Sequence, residues 1–393
     1  MSDPKPLRNH ELVPDQEFRH VRYETRPVLD RAGNPVPGLH QVWIHLDNPS
    51  QLNSYTTEMT KEVILGFRRA SADRRAVAVV FTGTGDRAFC TGGNTEEYAT
   101  YYAGRPHEYL QYMRLFNDMV TSILLCDKPV ICRVNGMRIA GGQEIGMACD
   151  FSVAGDNASF GQAGPVHGSA PDGGSTDFLH LYVGYAKAAE SLALCTQWSA
   201  YLAHRLGLIN DVVPVYRDAS GATVPNPLVV TDRWIDDTGR MVYGEWLAGD
   251  ARKAAKERLG ELTIDLAPLD AKVDELVTTL LHTFPDCTRK TLEGQRKKKL
   301  EHWYANSETN RSWLSLNMAT EASAGFPAFH YGDRGERKID FAALRRGIAE
   351  GRRFDRELVR EVLPPSARKG VEEAEGTLDG EREPVLQGGG GAR

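Results

Sequence analysis

Asn135-Gly-Met-Arg-Ile-Ala-Gly-Gly-Gln-Glu-Ile-Gly-Met-Ala-Cys-Asp150, read beside Ala88-Phe-Cys-Thr-Gly-Gly-Asn94, is the stretch that decides the fold. Each stretch follows an apolar run that reads as a buried strand, Ala76 to Phe81 for residues 88–94 and Pro129 to Val134 for residues 135–150. Each also places glycines where a strand gives way to a helix. Backbone N–H groups exposed at such turns, one of them at a helix N-terminus, form a site for a developing negative oxygen. Two such groups aimed at one carbonyl make an oxyanion hole.

Outward from these stretches, strands and helices alternate. A strand is expected over Leu39 to Leu46, a helix over Ser54 to Ala70 and a long helix over Glu96 to Cys126. A further helix is expected from Gly142, then two short strands around Gly155-Asp156-Asn157. The chain between strands is long enough for crossovers, which favours a layered α/β fold. Residues 1–37 are polar and rich in Pro and Arg and read as an N-terminal arm, followed by a core over 38–215. Residues 216–264 have little periodicity and read as an inserted segment, and 265–363 as a helical C-terminal region with a helix from Phe341 to Val362. Residues 364–393 are charged and glycine-rich and read as a disordered tail.

Composition narrows the function. The chain has 393 residues and a formal charge of −6, which argues against whole-chain attraction to nucleic acid. No apolar stretch approaches the roughly 20 residues needed to span a bilayer, and the N-terminus has no signal-peptide core. The six cysteines are scattered without metal-ligand or disulfide spacing, so no metal and a reducing cytoplasm are expected.

The candidate site residues each have an ordinary alternative. Gly93 and Gly141 are the candidate oxyanion donors, although paired glycines also permit tight turns and close packing. Glu144 lies in the first helical turn, where its side chain leans back toward whatever Gly141 binds. Acids are stabilised at that position in any case. Asp172, within Pro171-Asp172-Gly173, is either an acid–base group or a turn residue. His167 is a proton carrier or a solvated loop histidine, and Asp177 is read as the cap of the next helix. Arg87, Lys128 and the run Arg296-Lys297-Lys298-Lys299 are candidate phosphate contacts or solvated faces.

With both glycine motifs in order after apolar strands, the chain resembles the crotonase superfamily, whose members stabilise enolates of acyl-CoA thioesters. That resemblance implies a spiral of ββα units with a helical C-terminal region covering the CoA cleft and contributing to oligomerisation. It implies an acyl-CoA substrate, no separate cofactor, no nucleic-acid or membrane partner, and a homotrimer or homohexamer. It places oxyanion donors at Gly93 and Gly141, the catalytic glutamate of enoyl-CoA hydratases at Glu144, and CoA contacts at Gln51, Leu52, Ala88, Phe89 and Thr91. The hydratases' second glutamate is replaced by Gly164, so simple hydration is not expected. Asp172 falls where a dienoyl-CoA isomerase carries an aspartate.

The Ala140–Asp150 stretch, Phe160-Gly161-Gln162-Ala163-Gly164-Pro165 and Glu108 to Met119 resemble the superfamily's ring-opening branch, which acts in anaerobic breakdown of aromatic compounds. Its members add water to a ring double bond and then hydrolyse a ring C–C bond. Asp172 departs from that branch, where an apolar residue is expected. Naphthoate-synthase-like Claisen cyclases share the glycine at 164, but Gln143-Glu144 and the inserted segment count against them. An enoyl-CoA hydratase or isomerase is a further alternative. A non-catalytic RNA-binding relative is disfavoured by the acidic balance and by Glu144.

Overall fold

The computed structural model describes residues 6–380, with side chains to residue 373. Its elements are β1 (Val21–Leu29), β2 (Pro35–Leu46), α1 (Thr57–Ala72), β3 (Ala76–Gly83), β4 (Ala88–Cys90), α2 (Thr95–Glu97), α3 (Pro106–Leu124), β5 (Val130–Val134) and β6 (Met137–Ile139). There follow α4 (Gly141–Ala148), β7 (Phe151–Gly155), β8 (Ser159–Gly161), α5 (Ser175–Val183), α6 (Tyr185–Leu194), β9 (Trp198–Ser199), α7 (Ala200–Arg205) and β10 (Asp211–Val213). The remainder is β11 (Tyr216–Arg217), β12 (Thr223–Val224), α8 (Gly249–Leu259), β13 (Thr263–Ile264), α9 (Ala267–Leu281), α10 (Pro285–Asn317), α11 (Glu321–Tyr331), α12 (Phe341–Ala349), α13 (Arg356–Val362) and α14 (Pro365–Gly380). The described residues form two compact units: residues up to Asn94 with Leu110–Pro165 and Ala170–Trp313, and Thr95–Tyr109 with Val166–Ser169 and the residues from Leu314 onward.

In the first unit a six-stranded sheet runs β1-β2-β3-β5-β7-β10 and a four-stranded sheet runs β4-β6-β8-β9. Successive strand pairs β3–β4, β5–β6 and β7–β8 put their first member in the large sheet and their second in the small one. Apart from β1–β2 and β8–β9 the ladders of these two sheets are parallel. This is the expected spiral of ββα units. Parallel strands covered on both faces read as continuous apolar runs, which is why Ala76–Phe81 and Val130–Val134 stood out in the sequence. One core cluster lies between the large sheet and α9, where Trp43, Val80, Ile131 and Val153 meet Leu269, Val273 and Val277. Burial of such a side chain stabilises by about 1.5–3 kcal/mol.

The expected arm at 1–37 contains a sheet edge. β1 pairs antiparallel with β2 from Val21↔Leu46 onward. The N–H groups of Arg19, His20 and Val21 donate to the buried carboxylate of Glu62 at 2.7–3.0 Å, and Val28 enters the core. Polar composition concealed this because the second face of an edge strand is solvated. The segment 216–264 carries its own sheet, β12-β11-β13. It is tied to the core by buried Asp156, whose carboxylate accepts from the N–H groups of Val215 and Asn226 at 2.9 and 2.8 Å.

The long helix expected over Glu96 to Cys126 is interrupted. A π-turn at Tyr98–Tyr102 follows α2, and the helix restarts as α3 at Pro106. Proline disfavours helical backbone in the residue before it. In the second unit Tyr98 packs edge-on against Tyr102, Tyr109 and Phe326. The helix expected from Phe341 to Val362 is likewise split into α12 and α13 at Gly351, φ +75°. Residues 365–380 of the expected disordered tail form α14, which Ala367 anchors against Ala328 and Leu363. Residues 381–393 lie outside the described residues.

Candidate active site

The turn between β6 and α4 presents Gly141. Ala140, just before it, has φ +52° and ψ −127°, a strained backbone for a residue with a side chain, and provides no side-chain cap. The first N–H groups of α4 are thus left to other acceptors, with the helix dipole adding positive potential. The loop carrying Gly93 is placed by Tyr55, whose N–H donates to Gly92 O and whose carbonyl accepts from Asn94 N–H, both at 3.0 Å. In this parallel bridge the N–H of Gly93 is directed away from Tyr55. Among the described residues neither Gly93 nor Gly141 N–H has a protein acceptor. The two loops touch, since a Cβ at Gly92 would lie 3.0 Å from Gly141 N. A Cβ at Gly142 would lie 2.1 Å from Cys90 O, so the second glycine of the pair is required by packing.

Two asparagines that the sequence reading passed over hold this arrangement. Asn53 Nδ2 donates to Thr84 O and Ala88 O at 2.9 and 2.7 Å. Asn135 Nδ2 donates to Gly85 O and Ala88 O at 2.7 and 3.0 Å, while its Oδ1 accepts from Thr82 Oγ1 and Gly83 N. The loop between β3 and β4 is therefore clasped from both sides. For Asn135 the signal in the sequence was a polar residue directly after an apolar strand, which also describes a plain turn. Leu52 and Asn53 both have left-handed backbone, φ +56° and +54°. Thr91 Oγ1 donates to Leu52 O at 3.3 Å, and Gln51 Oε1 accepts from Asn94 Nδ2. Ala88 offers its backbone to this frame, and the Phe89 ring packs edge-on against Phe81 in the core.

Glu144 is buried, with 6% of its surface exposed, and its Oε1 accepts from Gly173 N–H at 3.0 Å. Burial pushes its carboxyl up to about 8, the charge of Asp172 adds to the rise, and backbone donors at Gly173 and Ser175 oppose it. Glu144 is thus mostly protonated at neutral pH. Asp172 is half-buried and likewise raised by burial, with Thr176 Oγ1 donating to it at 3.1 Å. Asp177 does not cap α5, whose N-cap is Gly174. Instead it is buried, accepts from Asn306 Nδ2 at 2.6 Å, and is raised by that burial. The structure therefore brings Gly93, Gly141, Glu144 and Asp172 into one unit and adds Gly173, Asp177, Asn306 and Asn310. His167 lies in the second unit, where its ring meets Phe329 and burial lowers it to about 4, which keeps it neutral.

The basic run has a structural role at two of its four positions. Arg296 pairs with buried Asp150 and donates to the carbonyls of Leu124, Cys126 and Lys128. Lys299 Nζ donates to Met147 O and Cys149 O at 2.7 and 2.9 Å, closing the C-terminus of α4. Among the described residues no group of three or more His, Cys, Asp or Glu is placed to hold a metal ion.

Gly173 yields a first prediction. A Cβ there would lie 2.4 Å from both Glu144 Oε2 and Phe116 Cε1. Gly173→Ala is expected to displace the carboxyl and to cost about 1–3 kcal/mol of stability through overpacking. Urea titration checks the stability, and a wild-type midpoint with wild-type turnover would refute the contact.

A spiral of ββα units that sets two open glycine N–H groups and a buried glutamate in one unit is the framework of an acyl-CoA enzyme family. The chain belongs to the enoyl-CoA hydratase/isomerase family, or crotonases, whose sequence signature matches residues 41–222. A relative from Geobacter metallireducens is 56% identical over 93% of this chain and 97% of its own, and is named 6-oxocyclohex-1-ene-1-carbonyl-CoA hydrolase. Relatives of the same name from Thauera aromatica and Syntrophus aciditrophicus are 54% and 49% identical, covering 92% and 91% of this chain and 96% of each relative. Among solved structures, an enoyl-CoA hydratase/isomerase from Xanthobacter autotrophicus superposes with a TM-score of 0.58 at 20% identity, covering 85% of this chain and 97% of its own. An enoyl-CoA hydratase from Bacillus halodurans gives 0.58 at 16%, covering 79% and 100%.

Proposed function

We propose that this chain opens the ring of 6-oxocyclohex-1-ene-1-carbonyl-CoA, adding two waters to give 3-hydroxypimeloyl-CoA. The observation that carries the reading is the buried, largely protonated Glu144 beside the uncapped N-terminus of α4, in a chain 49–56% identical to hydrolases of that name. The first water adds its hydroxyl to the ring carbon β to the thioester. The second attacks the ring ketone, and the C–C bond electrons leave to the α-carbon. Both steps pass through the thioester enolate, so one pair of donors, Gly93 and Gly141, serves both. Glu144 orients water and exchanges its proton with the α-carbon. Gln51, Leu52, Ala88, Phe89 and Thr91 border the CoA moiety, mainly through backbone. His167 acts as a neutral imidazole.

Incubation of pure protein with the cyclic thioester, followed by mass spectrometry, is expected to show the gain of two waters. A gain of one alone would make the chain a hydratase. Loss of water from an open-chain o-succinylbenzoyl-type thioester would favour the cyclase. Gly164 stands in a short 3-10 turn where hydratases place their second glutamate, so straight-chain enoyl-CoA is expected to turn over poorly. Failure to bind any CoA ester would revive the RNA-binding alternative.

Asp172 and the donors can be tested separately. Asp172→Asn is expected to let the hydrated cyclic intermediate accumulate, and unchanged partitioning between intermediate and product would remove Asp172 from the ring-opening step. A CoA analogue with methylene in place of the thioester carbonyl is expected to bind more weakly, because two backbone donors lose their acceptor. The same difference is expected in Glu144→Gln. Equal binding to wild type would dismiss the oxyanion hole. The reading further includes a trimer or paired trimer in the cytoplasm, which light scattering and cell fractionation test. Among the described residues no helix is long and apolar enough to cross a membrane.

A further inference from the structure

The proton balance of ring opening, on the hydrolase reading above, leaves something for the protein to remove. In the second step hydroxide from water bonds to the ketone carbon, the bond to the α-carbon breaks, and the α-carbon takes a proton. The new carboxylic acid ionises at neutral pH, since ordinary carboxyls titrate near 4. One proton per turnover is therefore released, and the acid of the proposed site, Glu144, is buried.

We propose that Asp177, His180 and His302 form the exit for this proton, from the buried carboxyls to solvent. Asp177 is 1% exposed; one oxygen accepts from Asn306 and the other, Oδ2, is buried without a partner. A role as a tie between α5 and α10 accounts for the first oxygen only, and a buried unsatisfied oxygen calls for an explanation of its own. The Asn306 bond sets α10 across from α5, and His302 lies one turn before Asn306 on the same face. His180 lies three residues after Asp177 on α5. The two imidazole rings meet edge to face with centroids 5.2 Å apart, and both residues are half-buried.

The four residues thus make two rungs between the helices, one buried and one open to solvent. Charges that face Asp177 are Asp172 before α5, Glu144 from α4, His180 on its own helix and His302 from α10. Lys299, one turn before His302, is engaged by the carbonyls that end α4. Imidazole is the side chain that exchanges protons near neutral pH, and Asp177 is biased by burial toward its protonated form.

The experiment uses full-length His180→Gln/His302→Gln in weak buffer, with product followed by mass and proton release by a pH indicator. Turnover is expected to fall about tenfold or more, with KM within about twofold of wild type and added imidazole restoring most of the rate. Unchanged turnover, or a loss that imidazole does not restore, overturns the route. Either single variant carries the same test should the double one not fold. A wild type that forms no ring-opened product would overturn the hydrolase reading and the route with it. Ring opening by wild type beside an unaffected double variant overturns the route alone.

Discussion

Glu144→Gln is expected to lower kcat by about 10²-fold or more, the scale of a positioned acid or base, while leaving the fold in place. The substitution keeps an oxygen to accept from Gly173 N–H, which reaches Glu144 Oε1 at 3.0 Å, and replaces the ionisable oxygen by an amide nitrogen. With the carboxyl pushed up to about 8 by burial and by Asp172, wild-type kcat/KM is expected to change across that pH and the variant to lose the inflection. Stability supplies an independent check. The folded pKa lies above the ordinary glutamate value of 4.5, so the folded state holds a proton that the unfolded chain releases as pH rises. Wild-type stability from this group falls between about pH 4.5 and 8, and Glu144→Gln is expected to flatten that slope. Turnover near wild type would reduce Glu144 to a helix-start residue.

Arg296→Met is expected to cost about 3–5 kcal/mol, the penalty for removing one member of a buried ion pair. Its partner Asp150 and the guanidinium are 3% and 8% exposed by side chain, and Asp150 also accepts from Val130 N–H at 2.8 Å at the start of β5. Removing the guanidinium strands a buried carboxylate and three carbonyls where α3 gives way to β5. A urea midpoint shifted strongly in Arg296→Met, beside an unshifted midpoint in exposed Lys298→Met, is the expected pattern. Equal shifts in both would mean that the run acts as one solvated face.

That contrast separates what could be read in the chain from what could not. In Arg296-Lys297-Lys298-Lys299 nothing local distinguishes one cation from the next, and helical spacing alone does not say which side faces α4. Only the fold puts Arg296 on Asp150 and Lys299 on the last carbonyls of α4. Asp177 is similar: at a helix start it reads as a cap, yet burial against Asn306, far along the chain, makes it part of the carboxyl group cluster. His167 shows the reverse, since its loop setting suggested a solvated residue and Phe329 instead packs it in a neutral state.

By itself the sequence determined the spiral and the two glycine turns. Parallel strands buried on both faces must be continuously apolar, and a helix beginning on paired glycines announces an open N-terminus. It also determined that Glu144 lies one turn from Gly141, because helical spacing is local. The tertiary structure alone decided that the Glu144 carboxyl is raised, since its burial and the charge of Asp172, 28 residues along the chain, are set by the fold. It alone showed β1 as a sheet edge and α14 as a helix, because pairing with β2 and packing of Ala367 are long-range contacts that local polarity conceals. Local geometry is written in neighbours along the chain, and electrostatics in neighbours through space.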